Sequence, residues 1–202
     1  MRLVMVIDLK RCVGCYGCQI ACKAEHGTPP GVFNTRVVKQ EVGEYPTVNL
    51  LSIPVGCNHC SDAPCVDACP TGASFVWEDT GIVDIDPDKC VGCRSCMMAC
   101  PYSNRYFVSE RLPYYGDKGP TVLEEYWDSR SQVGIVRKCN FCRERVMAGK
   151  EPACVANCPT IARYFGDIDD PTSKVSRLIK ERGGFTLLPE KGTHPNAYYL
   201  PA

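Results

Sequence analysis

The chain has 202 residues, enough for one large domain or two small ones. Its 23 basic and 23 acidic side chains cancel, so it lacks the basic surplus that nucleic-acid binding selects. Sixteen cysteines are the anomaly. They fall in tight clusters, where cysteines two residues apart cannot all reach disulfide geometry, so metal accounts for them better than a disulfide framework.

In chain order, Leu3 to Ile7 is a short β-branched-rich run that predicts a strand. Asp8, Lys10 and Arg11 follow at once, with no small-residue cleavage site and no paired arginine before an apolar stretch, so no export signal is expected. No run approaches the roughly eighteen apolar residues of a membrane-spanning helix, and any membrane link is expected to run through a partner. The first cysteine quartet is Cys12, Cys15, Cys18 and Cys22, followed by Lys23. Gly14 and Gly17 fit a cramped loop that passes close to inorganic sulfide. Gln19 to Ala24 predicts a short helix ending near Gly27. Residues 27–54 then form an insertion, with Val37, Val38, Val42 and Val48 to Ile53 as the extended pieces of a hairpin.

The second quartet is Cys57, Cys60, Cys65 and Cys69, followed by Pro70. His59 lies inside it and is expected to make hydrogen bonds rather than to bind iron. Thr71 to Trp77, Glu78 to Gly81 and Ile82 to Ile85 read as strand, turn, strand. The third quartet, Cys90, Cys93, Cys96 and Cys100 with Pro101 behind it, has the C-x2-C-x2-C-x3-C-P spacing of bacterial ferredoxins. There the first three thiolates bind one cubane and the fourth ligates its neighbour. Only twenty residues separate Cys69 from Cys90, the layout of a compact two-cluster ferredoxin.

Residues 102–138 make a second, aromatic insertion, with Tyr102, Tyr106, Phe107, Tyr114, Tyr115, Tyr126 and Trp127 either roofing clusters or facing a partner. Arg105 either balances cluster charge or is solvated. The fourth quartet is Cys139, Cys142, Cys154 and Cys158, followed by Pro159. Its long middle gap, with a helix from Arg143 to Ala148 stopped by Gly149, also suits a zinc site when seen alone. Ile161 to Phe165 predicts a last strand. Asp170 is expected to cap a helix with Pro171 at its first position and an apolar stripe of Val175, Leu178 and Ile179, ended by Gly183 and Gly184. The tail is expected to pack along this subunit or a partner.

An internal repeat organises these parts. Val6 to Cys15 (VIDLKRCVGC) parallels Asp84 to Cys93 (DIDPDKCVGC), and Cys158 to Asp169 (CPTIARYFGDID) parallels Cys69 to Asp79 (CPTGASFVWED). The fold class expected is α+β: two interlocked ferredoxin-like units related by a pseudo-two-fold. Residues 55–101 form the inner unit. Residues 1–26 plus 139–170 form the outer one, with insertions at 27–54 and 102–138 and a helix and partner-binding tail at 171–202. With the fourth cysteine of each quartet crossing over, four [4Fe-4S] clusters follow. Cys12, Cys15, Cys18 and Cys158 hold one; Cys139, Cys142, Cys154 and Cys22 the second; Cys57, Cys60, Cys65 and Cys100 the third; Cys90, Cys93, Cys96 and Cys69 the fourth. Each oxidised cubane brings a charge of about −2, or roughly −8 in all. Lys10, Arg11, Lys23, Lys89, Arg94, Arg137, Lys138, Arg143 and Arg145 flank the cysteines and offset part of it.

The four quartets, their order and the long gap in the second resemble the four-cluster ferredoxin subunit of the dimethyl sulfoxide reductase superfamily. MRLVMVIDLKRCVGCYGCQIACK and GDIDDPTSKVSRLIK look most like the small subunit of respiratory arsenate reductases. The resemblance implies an electron-relay subunit for anaerobic respiration, without a substrate site of its own. It also implies a large catalytic partner carrying a bis-molybdopterin guanine dinucleotide centre. A membrane anchor or a quinol or cytochrome donor could complete the complex, and export would occur bound to a twin-arginine partner, the alternative being a cytoplasmic location. Two other classes fit the cysteines: a free polyferredoxin shuttle and a zinc-stapled interaction scaffold. No P-loop, dinucleotide fingerprint or nucleophile motif accompanies them.

Overall fold

The computed structural model describes residues 1–110, 112–128 and 133–202, which leaves parts of the second insertion outside the described residues. In chain order the elements are β1 (Leu3–Asp8), α1 (Gly17–His26), β2 (Thr35–Glu44), β3 (Thr47–Gly56), α2 (Pro64–Asp67), β4 (Ser74–Val76) and β5 (Val83–Ile85). There follow α3 (Ser95–Ala99), β6 (Tyr106–Phe107), α4 (Val122–Asp128), β7 (Val136–Arg137), α5 (Arg143–Met147), α6 (Ala153–Ala156), β8 (Arg163–Asp167), α7 (Lys174–Glu181) and β9 (Ala197–Leu200).

β1 is the structural axis. All six of its residues are buried, and it lies between β8, antiparallel, and β9, parallel. Side chains alternate faces along a strand. Leu3, Met5 and Ile7 therefore face one core, with Cys18, Ile82, Phe141, Cys154 and Tyr199. Val4 and Val6 face the other, with Tyr164, Val175 and Leu200. The predicted stripe of α7 covers that second core, through Val175, Leu178 and Ile179.

The tail, expected to pack along this subunit or a partner, packs along this chain. Ala197–Leu200 forms the third strand of the sheet, Leu187 packs against two cores, and Asn196 donates to the carbonyl of His59 at 2.6 Å. α7 also starts later than Asp170. Ser173 is its cap and accepts from the Ser176 amide at 3.2 Å, while Asp170 binds Thr172 in a preceding turn. β8 begins two residues after Ile161, which takes a left-handed conformation, φ +50°, instead of entering the strand.

The first insertion is a hairpin, paired from Thr35 opposite Gly56 to Glu44 opposite Thr47. Its base is buried, and its tip is exposed at Tyr45. β4 and β5 pair over only three residues each, shorter than the sequence suggested. Helix α1 ends at Gly27, whose left-handed backbone sends its amide to the Lys23 carbonyl. A Cβ there would lie 2.3 Å from Trp127, so glycine also lets the second insertion close over α1.

Lys23 occupies the place that proline holds after the other three quartets. Its ammonium donates to the carbonyls of Thr28, Pro29 and Val32 and to Thr28 Oγ1, and it lies over the Phe33 ring. It thereby pins the start of the first insertion.

Candidate metal centres

All sixteen cysteines are free thiols, and distant quartets meet. Burial pushes the Cys22 thiol far up, and the thiols of Cys139, Cys154 and Cys142 add to this. Burial also raises Cys18; Arg163 opposes the rise, while Cys154, Cys12 and Cys158 reinforce it. Cys60 is pushed up to about 11 by burial, against a bond from Thr193, with Cys57, Cys65 and Cys100 as its thiol neighbours. Cys93 is lowered by Ser95 and feels Cys69. So many mutually repelling buried thiols are costly as thiolates and become favourable when bound iron replaces their protons.

The geometry suits cubanes. Around the thiols, buried donors lack acceptors in the polypeptide: Asn58 Nδ2, His59 Nε2, Arg105 Nη1 and Arg163 Nε. Such groups cost free energy when orphaned, and the sulfurs of an iron-sulfur core are the natural acceptors here. Backbone amides already point at the thiols, Ser74 to Cys69 at 3.3 Å and Ala162 to Cys158 at 3.2 Å.

The loops of quartets one and three share a backbone. Gly14 and Gly92 have φ +65° and +67°, and Tyr16 and Arg94 have φ +61° and +64°. A Cβ at Gly92 would stand 2.2 Å from the Gly134 carbonyl, so a larger residue is excluded there. A Cβ at Gly14 would stand 2.3 Å from Ser52 Oγ, whereas one at Gly17 would meet only ordinary contacts, the nearest being Cys15 Sγ at 3.4 Å.

His59 is wholly buried and accepts from the Val83 amide at Nδ1, 3.2 Å. Its ring stacks on Phe141 with centroids 3.6 Å apart. These two occupy the same place in CNHC (Cys57 to Cys60) and CNFC (Cys139 to Cys142), a repeat visible in the sequence but overlooked. Arg163, 5 % exposed, is the other residue the sequence reading missed; it donates to Cys154 Sγ at 3.5 Å. Arg105, for which solvation stood as an alternative, is 3 % exposed and donates to Cys65 Sγ at 2.9 Å.

The flanking cations divide. Lys138 is buried and bonds the carbonyls of Val83 and Cys139. Arg94 covers Phe107 and Arg143 covers Trp77. The aromatic insertion divides as well: Tyr102 is buried on Thr193, whereas Tyr115 and Tyr126 are exposed. Its short helix α4 begins with a reciprocal cap, Thr121 Oγ1 accepting from the Glu124 amide and Glu124 accepting from the Thr121 amide.

A small mixed helix-strand fold lined with sixteen free, grouped thiols defines a ferredoxin-like iron-sulfur protein. Residues 48–113 and 125–168 match the model of the 4Fe-4S dicluster domain, and the chain belongs to this family. Sixteen cysteines in such a fold serve four [4Fe-4S] clusters. The chain is 44 % identical to the putative iron-sulfur subunit of dimethyl sulfoxide reductase from Halobacterium salinarum, over 97 % of its length and 78 % of the relative's. It is 42 % identical to a selenate reductase subunit from Mesobacillus selenatarsenatis, over 99 % and 72 %. It is 40 % identical to the arsenate respiratory reductase iron-sulfur subunit of a Shewanella species, over 99 % and 96 %.

Proposed function

We propose that this chain is the electron-transfer subunit of an anaerobic oxidoreductase, relaying single electrons to or from a large catalytic subunit. The observation that carries the reading is the company Cys22 keeps. It lies among Cys139, Cys142 and Cys154, more than a hundred residues away, and not with its own quartet alone. When bound, each cluster takes up and gives up one electron. The chain's part is to hold and space the thiols, exclude water and set local charge.

The groups are those of the crossover: Cys12, Cys15, Cys18 with Cys158; Cys139, Cys142, Cys154 with Cys22; Cys57, Cys60, Cys65 with Cys100; Cys90, Cys93, Cys96 with Cys69. Their order follows from the contacts between groups. Cys18 feels Cys154, Cys139 feels Cys57, and Arg105 is shared by Cys65 and Cys96. The two end groups each contain an exposed cysteine, Cys15 and Cys93, and the two middle groups contain none. Stacking of the matched rings of His59 and Phe141 supports two interlocked units meeting at a pseudo-two-fold.

Exposed apolar side chains surround both ends: Val13 and Ile20 near Cys15, and Val91 and Met98 near Cys93. These are the surfaces for docking, one for the catalytic subunit and one for an electron donor or anchor. The relatives named for dimethyl sulfoxide, selenate and arsenate reductases support a molybdopterin-bearing partner, an arsenate-type substrate being one of these choices. Among the described residues no helix is long and apolar enough to cross a membrane. Co-export with a twin-arginine partner is part of the proposal. Anaerobic purification from the native host tests it: the chain should co-purify with a molybdenum-containing large subunit and about sixteen irons of its own. A colourless chain, or one purified without a large partner, overturns the reading. The isolated chain should turn over no substrate.

A further inference from the structure

Two buried arginines carry an inference that rests on the cysteine grouping proposed above. In the outer half, Arg163 on β8 donates to Cys154 Sγ at 3.5 Å and to Thr35 Oγ1 at 3.2 Å. In the inner half, Arg105 donates to Cys65 Sγ at 2.9 Å and to Ser74 Oγ at 2.7 Å. Cys154 and Cys65 are the third cysteines of repeat-related quartets. The arginines themselves are not repeat-related. The position matching Arg163 is Ser74, and Arg105 reaches that serine from beyond the third quartet. The two halves thus bring a guanidinium to the same thiol by different routes. A relic of duplication would have kept one backbone position, whereas a charge required at that thiol can come from either.

Each guanidinium also faces the next group along the line. Burial opposes the charge of Arg163, but the thiols of Cys154 and Cys18, together with Tyr199 and Cys139, outweigh it. Burial opposes Arg105 in the same way, and Cys65, Cys57 and Cys96 prevail. Each arginine therefore stands between a middle group and its end group: Arg163 bonds the middle group through Cys154, and Arg105 bonds it through Cys65 at 2.9 Å while also reaching Cys96 of the end group. Each keeps a buried nitrogen without an acceptor in the polypeptide, Nη1 of Arg105 and Nε of Arg163.

We propose that Arg105 and Arg163 are matched counter-cations that raise the reduction potential of the middle cluster in each half above that of its end neighbour. A fixed positive charge in a low-dielectric interior favours the added electron, and more so the closer it lies. The transfer so biased oxidises the end group by one electron and reduces the middle group by one. The guanidinium itself contributes no proton to this transfer, because it does not titrate.

Potentiometric titration followed by electron paramagnetic resonance, on the full chain in its anaerobically purified complex, tests this. Wild-type iron comes first: four clusters uphold the grouping independently of the arginines, and fewer overturn both readings. With four present, Arg105→Gln should lower one potential most and Arg163→Gln a different one most. The double variant should lower both, and Arg→Lys at either site should recover most of the drop. No shift, equal shifts of all four clusters, or both variants lowering the same cluster overturns the proposal. Should the Gln variants lose iron, the Lys variants decide. Full iron with near-wild-type potentials supports the counter-cation role, and loss of iron from them too makes the arginines structural and overturns it.

Discussion

The proposed outer and inner halves carry related cysteine quartets on unequal scaffolds. The outer half has a three-stranded sheet, a ten-residue α1 and an amphipathic α7, with Cys18 and Cys154 in one apolar core and a second core that holds no cysteine on the other face of the sheet. The inner half has two three-residue strands and helices of four and five residues. Its core mixes cysteines with a few other hydrophobic residues: Cys60, Cys65 and Cys96 are buried beside Ala63, Val83, Tyr102 and Val136, with Cys90 and Cys100 at the edge. The outer half can therefore keep much of its fold without metal, because its apolar residues bury one another. The inner half cannot, because removing iron leaves repelling thiols in the middle of a small core.

Iron removal should break this comparison open most widely. Anaerobic chelation should abolish amide protection across β4 and β5 while β1, β8 and β9 stay protected in hydrogen-exchange measurements. Simultaneous loss in both halves would mean that the outer cores do not stand alone. Next in size is Leu200→Ala. This side chain is fully buried between β1 and α7. Its truncation should cost about 2–5 kcal/mol in chemical denaturation of the holo-protein, with the inner clusters' spectra unchanged.

A smaller effect is expected at Asp8, which is 1 % exposed and held by Arg182 through both carboxylate oxygens. Burial raises its pKa, but the Arg182 bonds outweigh burial and leave it below the usual aspartate value. A depressed folded-state pKa stabilises above the unfolded value, near 3.8, and that stability is lost as pH falls through the lower folded value. Arg182→Gln should cost on the order of 1–3 kcal/mol at neutral pH and remove this acid-side slope. An unchanged slope would assign it to other carboxylates. The smallest stability effect belongs to Tyr45, 93 % exposed at the hairpin tip. Tyr45→Ser should shift stability by less than about 0.5 kcal/mol. If the hairpin contacts the large subunit, the same change weakens co-purification; unchanged co-purification places that contact elsewhere.

The unequal scaffolds also explain what the sequence made legible. Cysteine spacing and the repeated VGC and CPT stretches needed no tertiary information, because ligand spacing is a local property. The stripe of α7 and the extended runs of the hairpin were legible for the same reason. Arg163 was not, because a charged residue on a strand reads as solvated until the thiol it meets is known. The stack of His59 on Phe141 depends on two loops about eighty residues apart meeting face to face. The N-cap of α7 was misplaced because Asp170 and Ser173 both carry capping side chains, and Asp170 spends its own on the turn before the helix.

β1 has its place between β8 and β9, so residues 3–8 are enclosed by strands that end at Asp167 and Leu200. Both neighbours lie far from β1 in sequence, so the sheet closes only when segments more than 150 residues apart are brought together. Long-range closure carries a large loop entropy, so this sheet should gain amide protection late in refolding, after the local hairpin of β2 and β3.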